Sequence, residues 1–362
     1  MRRLLDAALQ IRELSRGRVD VSHVLLLRLG HRDAAPCLVT GFGWLLTRRV
    51  VARIPFGSAS FATPGCACAR APNLARMTPQ DASESRWSDL GRPPLNASAL
   101  RHALVRPGAL WTSLDVVQET GSTNSDLTAR AKELPEGAVL VAEEQTAGRG
   151  RLDRSWSAPA RSGLFFSVLL RPGAGVPVDR WGWLPLLTGV AVATGLSRAA
   201  GVDTSLKWPN DLLVTVGGEE RKAGGILAER AGEDAVVVGI GLNVTLRADE
   251  LPVPAAGSLL LADAISTDRE TLLRAVLRSL EQWYVDWREA GGDPAASRLQ
   301  ETYAAGCATL GRTVRAELPG DRSLTGEAVA VDADGRLVLA TEGGGREPVA
   351  AGDIVHLRPA AD

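Results

Sequence analysis

From Trp111 onward the sequence alternates between strand and helix patterns, and this order of elements constrains the fold more than any other feature. Short apolar runs between turn residues predict strands, whereas apolar residues three and four apart predict helices. The predicted strands are residues 114–117, 139–142, 164–170, 205–208, 212–216, 223–229 and 235–243. The predicted helices are residues 122–131, 183–199 and 268–287, with a further helix that begins at Ala97 after the capping residue Asn96. One domain therefore combines both kinds of element.

The pattern changes near Leu310, where helical spacing ends. Short β runs separated by Gly and Asp turns follow, at residues 313–317, 326–331, 337–340 and 354–357. They predict a small barrel-like domain of about 50 residues. We therefore expect four regions: 1–76 as an N-terminal extension, 77–110 as a linker and first helix, 111–309 as the main domain, and 310–362 as the small β domain.

The first 76 residues carry 12 arginines against four acidic residues, a charge of roughly +8, and show no sustained helix or strand period. Met77, the second of two methionines, precedes a polar linker and the first capped helix. Either translation begins at Met77 and the preceding segment is a mis-called extension, or the segment is a disordered basic arm. The spacing of a helix-turn-helix is absent from this sequence.

The bulk composition excludes several classes of protein. A net charge of −1 gives no overall attraction to nucleic acid or anionic membrane. Four cysteines, unevenly placed and not clustered with the four histidines, indicate neither a disulfide framework nor a zinc site. No apolar run reaches the roughly 18 residues of a membrane span, and charge interrupts the N-terminus too often for a signal peptide. We expect a cytoplasmic protein.

Lysine is scarce in this chain, with three (Lys132, Lys207, Lys222) against 38 arginines. Where arginine replaces lysine so widely, a remaining lysine marks a place where a compact ammonium fits and a planar guanidinium does not. Lys207 stands in the string Lys-Trp-Pro-Asn-Asp, which also contains one of only five asparagines, Asn210. Lys207 is therefore the first candidate for chemistry, followed by Asn210, Asp211 and Asn243.

Four sequence elements carry candidate chemistry. Gly121–Asn124 caps a helix with short polar side chains that can also face a ligand. Gln145–Trp156 alternates glycine with arginine, which suits phosphate oxygens, and ends on an aromatic ring. Leu206–Leu212 places a cation and a carboxylate beside a turn. Lys222–Leu227 and Gly239–Asn243 put glycines inside strands, where a ligand can approach the backbone. An ordinary helix cap and simple close packing stay open as explanations of the first and last elements.

Together, in this order and spacing, these elements resemble the biotin protein ligases, from about Trp111 to Arg358. The resemblance implies an α+β fold: a seven-stranded mixed sheet with helices on one face, similar to class II aminoacyl-tRNA synthetases, plus a C-terminal SH3-like barrel. It also implies that residues 111–309 form a biotin and ATP catalytic domain. The implied reaction joins biotin and ATP into biotinoyl-5′-AMP and transfers biotin to one lysine of biotin carboxyl carrier protein.

The resemblance carries site roles onto matching positions. The biotin contacts fall on Ser122, Thr123, Asn124, Gln145, Arg149, Gly150, Arg151, Lys207 and Gly225. The ATP contacts fall on Arg151, Arg154, Trp156, Lys207, Asn210 and Asn243. The catalytic roles fall on Lys207, Arg149, Arg151 and Asp211, and Asp211 is also the candidate ligand for Mg²⁺. Leu152 and Asp153 depart from the basic or small residues expected there, which makes the loop less positive.

The expected chemistry needs cations more than a nucleophile, because joining a carboxylate to an α-phosphate brings two anions together. The expected partners are ATP, biotin, Mg²⁺ and the carrier domains of biotin-dependent carboxylases, without specific DNA or a membrane; a homodimer stays open. The alternatives are a lipoate–protein ligase on the same fold and a bifunctional ligase and repressor. The repressor form needs an N-terminal winged helix, which residues 1–110 do not show.

Overall fold

The structure is a computed structural model, and it describes residues 91–152, 154–318, 322–350 and 352–357. The predictions for residues 1–76, and for the linker up to residue 90, lie outside the described residues. The described helices are α1 (Ala97–Leu104), α2 (Thr123–Ala129), α3 (Trp183–Ala200), α4 (Arg269–Glu289) and α5 (Leu299–Gly306). The strands up to residue 243 are β1 (Ser113–Val117), β2 (Ala138–Ala142), β3 (Gly148–Arg149), β4 (Ser155–Trp156), β5 (Gly163–Leu170), β6 (Thr204–Lys207), β7 (Asp211–Val216), β8 (Glu219–Arg230) and β9 (Val236–Asn243).

Seven of these strands form one sheet in the order β1-β2-β5-β9-β8-β7-β6. The β1–β2 pair is parallel and the other neighbours are antiparallel, so the mixed sheet expected from the sequence is confirmed. The strand β5 lies near the middle, and all eight of its residues are buried. A strand covered on both faces reads as a continuous apolar run, which is why its sequence shows no alternation.

The long helices α3 and α4 pack against one face of this sheet and against each other. They approach closely at Gly195, where an added Cβ would lie 2.9 Å from the Cα of Val276. The short helix α2 lies on the opposite face, because its Leu127 packs with Leu140 and Leu169 in a separate apolar cluster. The helices therefore lie on both faces of the sheet, whereas the resemblance implied helices on one face. Among the described helices, none is both long and apolar enough to cross a membrane.

A second, five-stranded sheet follows in the order β13-β12-β11-β10-β14. Its strands are β10 (Thr313–Leu318), β11 (Arg322–Val331), β12 (Leu337–Ala340), β13 (Arg346–Val349) and β14 (Asp353–His356). All its pairings are antiparallel, which confirms the small β domain. Two indole groups join it to the main domain: Trp183 Nε1 donates to Ala333 O at 2.9 Å, and Trp208 Nε1 donates to Gly335 O at 3.0 Å. The proposed boundary between residues 309 and 310 stays a prediction.

A buried ion pair attaches the segment before α1 to the main sheet. Arg269, at the start of α4, lies 2.7 Å from Glu143 at the end of β2, and their side chains are only 5% and 2% exposed. Glu143 also accepts from the backbone N–H of Leu95, and Arg269 donates to Pro93 O. Because a buried charge needs a partner, these contacts fix residues 93–95 on the domain.

Candidate functional site

A polar pocket lies on the face of the large sheet that carries α2. It is lined by Ser122, Thr123, Asn124, Gln145, Arg149, Trp156, Asn210, Gly225, Ile226, Leu227, Gly239, Ile240 and Gly241. The first eight of these were candidate ligand residues in the sequence. Strands β8 and β9 supply the floor, α2 supplies one wall, and the β3–β4 hairpin covers the top.

The α2 end of the pocket is a closed network of amides and hydroxyls. Gln145 Oε1 accepts from the backbone N–H and the hydroxyl of Thr123, at 2.9 and 3.1 Å. The hydroxyls of Thr123 and Ser167 lie 2.7 Å apart, and Ser167 donates to Asn124 Oδ1 at 2.7 Å. Thr123 and Asn124 are buried, and Ser122 caps the helix. The cap thus builds an uncharged wall of donors and acceptors, which a helix cap alone does not require.

Two glycines of β9 make room for this wall and for the indole opposite. A Cβ on Gly239 would lie 2.2 Å from Asn124 Oδ1, and a Cβ on Gly241 would lie 2.9 Å from Trp156 Cε2. Side chains two residues apart in a strand point to the same face, so both positions border the pocket. The missing side chains at these glycines, expected to leave space for a ligand, also leave space for the side chains of Asn124 and Trp156.

The indole of Trp156 occupies the other end of the pocket. Its Nε1 is buried, and none of the described residues accepts a hydrogen bond from it. About 40 Å³ of free space remains in the pocket beside the indole. Trp156 therefore borders the space that a ligand would enter.

Lys222 is the site residue whose role sequence reasoning missed. Its Nζ lies 2.6 Å from Asp211 Oδ1 and 5.8 Å from the centre of the Trp156 ring. The β7–β8 pairing shifts register beside Leu212 and Leu213, which leaves an extra residue in β8. A bulge of this kind turns a side chain to the opposite face, so Lys222 lies on the pocket side while Ala223 joins the core. The scarcity of lysine in this chain was the sequence signal that could have identified Lys222.

Lys207, the first candidate from the sequence, does not line this pocket. It lines a wider cleft of about 1320 Å³ between β6–β8 and the C-terminal domain, together with Glu220, Arg312 and His356. Arg312 binds both carboxylate oxygens of Glu220 at 2.7 Å. Burial, followed by the charges of Lys207 and Arg312, lowers the pKa of His356 to about 4. The assignment of Lys207 to the biotin carboxylate stays a prediction. Lys222 lines the same cleft and also lies beside Trp156 and Gly225 of the pocket.

The remaining candidates of the hairpin are spread around the pocket. Arg151 Nη1 donates to Asn210 Oδ1 at 3.4 Å, and burial lowers the pKa of Arg151. Arg154 pairs with Asp353 of the C-terminal domain. Gly150 N–H closes the turn on Arg154 O. The hairpin therefore contacts both domains.

The side-chain amides of Asn210 and Asn243 both donate hydrogen bonds to backbone carbonyl groups. Asn210 Nδ2 donates to Ile226 O at 2.9 Å beside the pocket. Asn243 is buried, and its Nδ2 donates to Gly257 O at 3.0 Å. Asn243 lines neither the pocket nor the cleft, and its ATP role stays a prediction.

A protein-only magnesium site does not fit this arrangement. The described part of the chain holds no group of three or more His, Cys, Asp or Glu residues placed to bind a metal ion. Asp211 lines the wider cleft beside the pocket, and Lys222 already binds one of its oxygens. One carboxylate suits Mg²⁺ that is held mainly by the phosphates of a nucleotide.

Two protein families match this chain. Residues 115–244 match the Biotin/lipoate A/B protein ligase family, and residues 309–357 match the Biotin protein ligase C terminal domain. The chain is 45% identical over 272 residues to Biotin–[acetyl-CoA-carboxylase] ligase of Mycobacterium tuberculosis, which covers 74% of this chain and 97% of that protein. It is 35% identical over 237 residues to the Bifunctional ligase/repressor BirA of Bacillus subtilis, covering 64% and 69%.

Among solved structures, the chain is similar to biotin protein ligase from Aquifex aeolicus in complex with biotin and ATP. The TM-score is 0.56 with 29% identity, over 69% of this chain and all of that one. The family match over residues 115–244 includes every residue that lines the polar pocket. By its sequence relatives, its two matched domains and its fold, this chain belongs to the biotin protein ligase family.

Proposed function

We propose that this protein is an ATP-dependent biotin–protein ligase that makes biotinoyl-5′-AMP and then transfers biotin to a lysine of a biotin carboxyl carrier domain. The observation that carries the proposal is a pocket with two unlike ends, the second of which meets a cleft. Asn124 and Gln145 form an uncharged polar end, and Trp156 forms an aromatic end. Lys222, which lines the adjoining cleft, lies 5.8 Å from the centre of the Trp156 ring. Biotin and ATP need such a pair of environments within reach of each other.

The polar end supports biotin over lipoate. The ureido ring of biotin has a carbonyl acceptor and two N–H donors, whereas the dithiolane ring of lipoate has no strong hydrogen-bonding group. A pocket wall of amides and hydroxyls, built from Thr123, Asn124, Gln145 and Ser167, can exchange hydrogen bonds with the ureido ring but gains none from a dithiolane ring. A typical hydrogen bond contributes about 0.5–1.5 kcal/mol net, which favours the ureido ring.

The cationic end supports acyl adenylation. The carboxylate of biotin attacks the α-phosphorus of ATP, the bond to the β-phosphate oxygen breaks, and pyrophosphate leaves with its electron pair. Lys222, Arg149 and Arg151 are proposed to neutralise the two anions as they approach. Asp211 holds Lys222 in place. Mg²⁺ is proposed to arrive with the phosphates of ATP.

The second step transfers biotin from the adenylate to a lysine of the carrier protein. The acceptor amine attacks the acyl carbon of the adenylate and AMP leaves, so the adenylate must survive until the carrier docks. Shielding the mixed anhydride from water is the proposed task of the β3–β4 hairpin. The proposal includes a cytoplasmic location, biotin-dependent carboxylases as targets and no specific DNA binding. The homodimer stays open.

A competition experiment tests the ligand assignment. The purified protein is incubated with ATP and equal concentrations of biotin and lipoate, and the acyl adenylates are identified by mass spectrometry. We expect biotinoyl-AMP to exceed lipoyl-AMP by at least about 100-fold, as for a site that bonds to a polar group its competitor lacks. Comparable amounts of both, or lipoyl-AMP alone, would assign the protein to the lipoate branch of the matched family.

A further inference from the structure

Glu229, near the end of β8, joins the fixed wall of the pocket to its cover. One of its oxygens, Oε2, accepts from Asn124 Nδ2 at 2.8 Å. The other, Oε1, accepts from Arg149 Nη2 at 2.6 Å, and Arg149 Nη1 lies 3.4 Å from Oε2. Asn124 belongs to the wall, and Arg149 is the first arginine of the covering hairpin. The carboxylate therefore contacts both parts at once.

The geometry makes Glu229 the strongest attachment of Arg149 among the described residues. Both nitrogens of the guanidinium face both oxygens of the carboxylate, an arrangement that adds direction to the charge attraction. The other partner of Arg149, the hydroxyl of Ser125, is neutral and lies 3.3 Å from Nη1. An uncharged bond of that length contributes less than a charged one at 2.6 Å.

The exposure of the pair suits a contact that opens in every catalytic cycle. The side chain of Glu229 is 26% exposed and that of Arg149 is 47% exposed. Water screens a pair of this kind, so its contribution is modest. A cover that must open for biotin and ATP, and again for the acceptor lysine, needs an attachment that is directional but weak.

We propose that Glu229 is the positioning residue that closes the β3–β4 hairpin over the pocket by binding Arg149, and that the same carboxylate orients the amide of Asn124. Glu229 touches neither reacting atom in this scheme. Its loss opens the cover and shortens the time for which the adenylate is retained. The second part of this inference rests on the proposed function, because retention needs an adenylate to retain.

Limited proteolysis tests the closing role without any catalysis. The hairpin carries the trypsin site Arg151–Leu152, and Leu152 is 63% exposed. Glu229→Gln keeps an oxygen that can accept from Asn124 but removes the charge that binds Arg149. We expect cleavage in the hairpin to be about two- to fivefold faster in this variant than in the wild type, the effect of losing one partly exposed ion pair.

Glu233→Gln is the matched control, since Glu233 is an exposed carboxylate four residues after Glu229, in the turn between β8 and β9 and outside the β3–β4 hairpin. It should leave the cleavage rate unchanged. High salt should raise the wild-type rate toward that of Glu229→Gln and change the variant less, because ions screen the pair. Equal cleavage rates for wild type and Glu229→Gln would overturn the proposal.

Adenylate release provides the second readout. The protein is loaded with biotin and ATP, excess biotin is removed, and free biotinoyl-AMP is followed over time. We expect Glu229→Gln to release it about two- to fivefold faster than wild type, measured as the rate at which bound biotinoyl-AMP becomes free, so that a change in the rate of its formation does not enter. If wild type forms no adenylate, the proposed function fails, whereas the proteolysis result still decides the closing role. If wild type retains the adenylate no longer than Glu229→Gln does, the inference alone fails.

Discussion

The ammonium of Lys222 and the carboxylate of Asp211 lie 2.6 Å apart, on neighbouring strands that a register shift brings into this relation. Without the shift, Lys222 would alternate onto the core side, where Gly224 lies between Leu212 and Leu242. The bulge thus places Lys222 on the face of the sheet that carries Trp156 and Gly225. The ammonium of Lys222 also lies 5.8 Å from the centre of the Trp156 ring.

The first prediction compares the two lysines. Lys222→Gln should slow single-turnover formation of biotinoyl-AMP by about 100-fold or more, the usual cost of removing one group that stabilises transition-state charge. Lys207→Gln should cost less than about tenfold, because among the described contacts Lys222, and not Lys207, reaches Trp156 and Gly225 of the pocket. A rapid-quench measurement at saturating biotin and ATP decides it. The reverse order would restore Lys207 to the role expected from the sequence.

The second prediction separates the two ends of the pocket with matched alanine substitutions. Gly239→Ala puts a methyl group against Asn124, so it should raise the KM for biotin by about tenfold and change the KM for ATP by less than threefold. Gly241→Ala puts the methyl group against Trp156, so it should do the opposite. Both follow from contacts of 2.2 and 2.9 Å to an added Cβ. Equal effects on both substrates, in both variants, would show that the ends are not separate.

The sequence identified the parts of the site that depend on local structure. The Ser122 cap, the Gly-Arg hairpin and the glycines of β9 are readable because turn and cap chemistry involves residues close together in the chain. The sequence did not identify Lys222 and Glu229 as site residues, because their positions depend on strand register. That register is set by pairing partners that are distant in the chain. The helix α5 was missed for a local reason: it has eight residues, and its N-cap, Arg298, makes no side-chain capping bond.

The third prediction concerns stability. Glu143→Gln leaves the guanidinium of Arg269 buried without its charge partner, and should lower the free energy of unfolding by about 3–5 kcal/mol. Urea denaturation measures it. Arg298→Gln serves as the control, since it breaks an ion pair whose side chains are 77% and 71% exposed; it should change stability by less than about 0.5 kcal/mol. Similar losses in the two variants would mean that burial of the Glu143 pair has no special cost.

The fourth prediction is a pH dependence caused by His356. Its pKa is lowered from 6.5 to about 4 by burial and by Lys207 and Arg312, so the folded protein keeps it neutral while the unfolded chain protonates first. Stability is therefore fully present above about pH 6.5 and is lost as the pH falls toward 4. Between pH 7 and pH 4.5, His356→Gln should lose less unfolding free energy than wild type. Parallel losses would show that His356 does not titrate in this window.

This protein is proposed to join biotin to a carrier lysine through an adenylate that stays bound, and one measurement tests the overall reaction directly. The purified chain is mixed with ATP, Mg²⁺, biotin and a biotin carboxyl carrier domain, and the intact carrier is weighed by mass spectrometry, beside a carrier whose acceptor lysine is replaced by arginine. The account predicts one added biotinoyl group on the wild-type carrier, dependent on both ATP and biotin, and none on the substituted carrier. A carrier that stays unmodified while the protein is folded and binds biotin would contradict it.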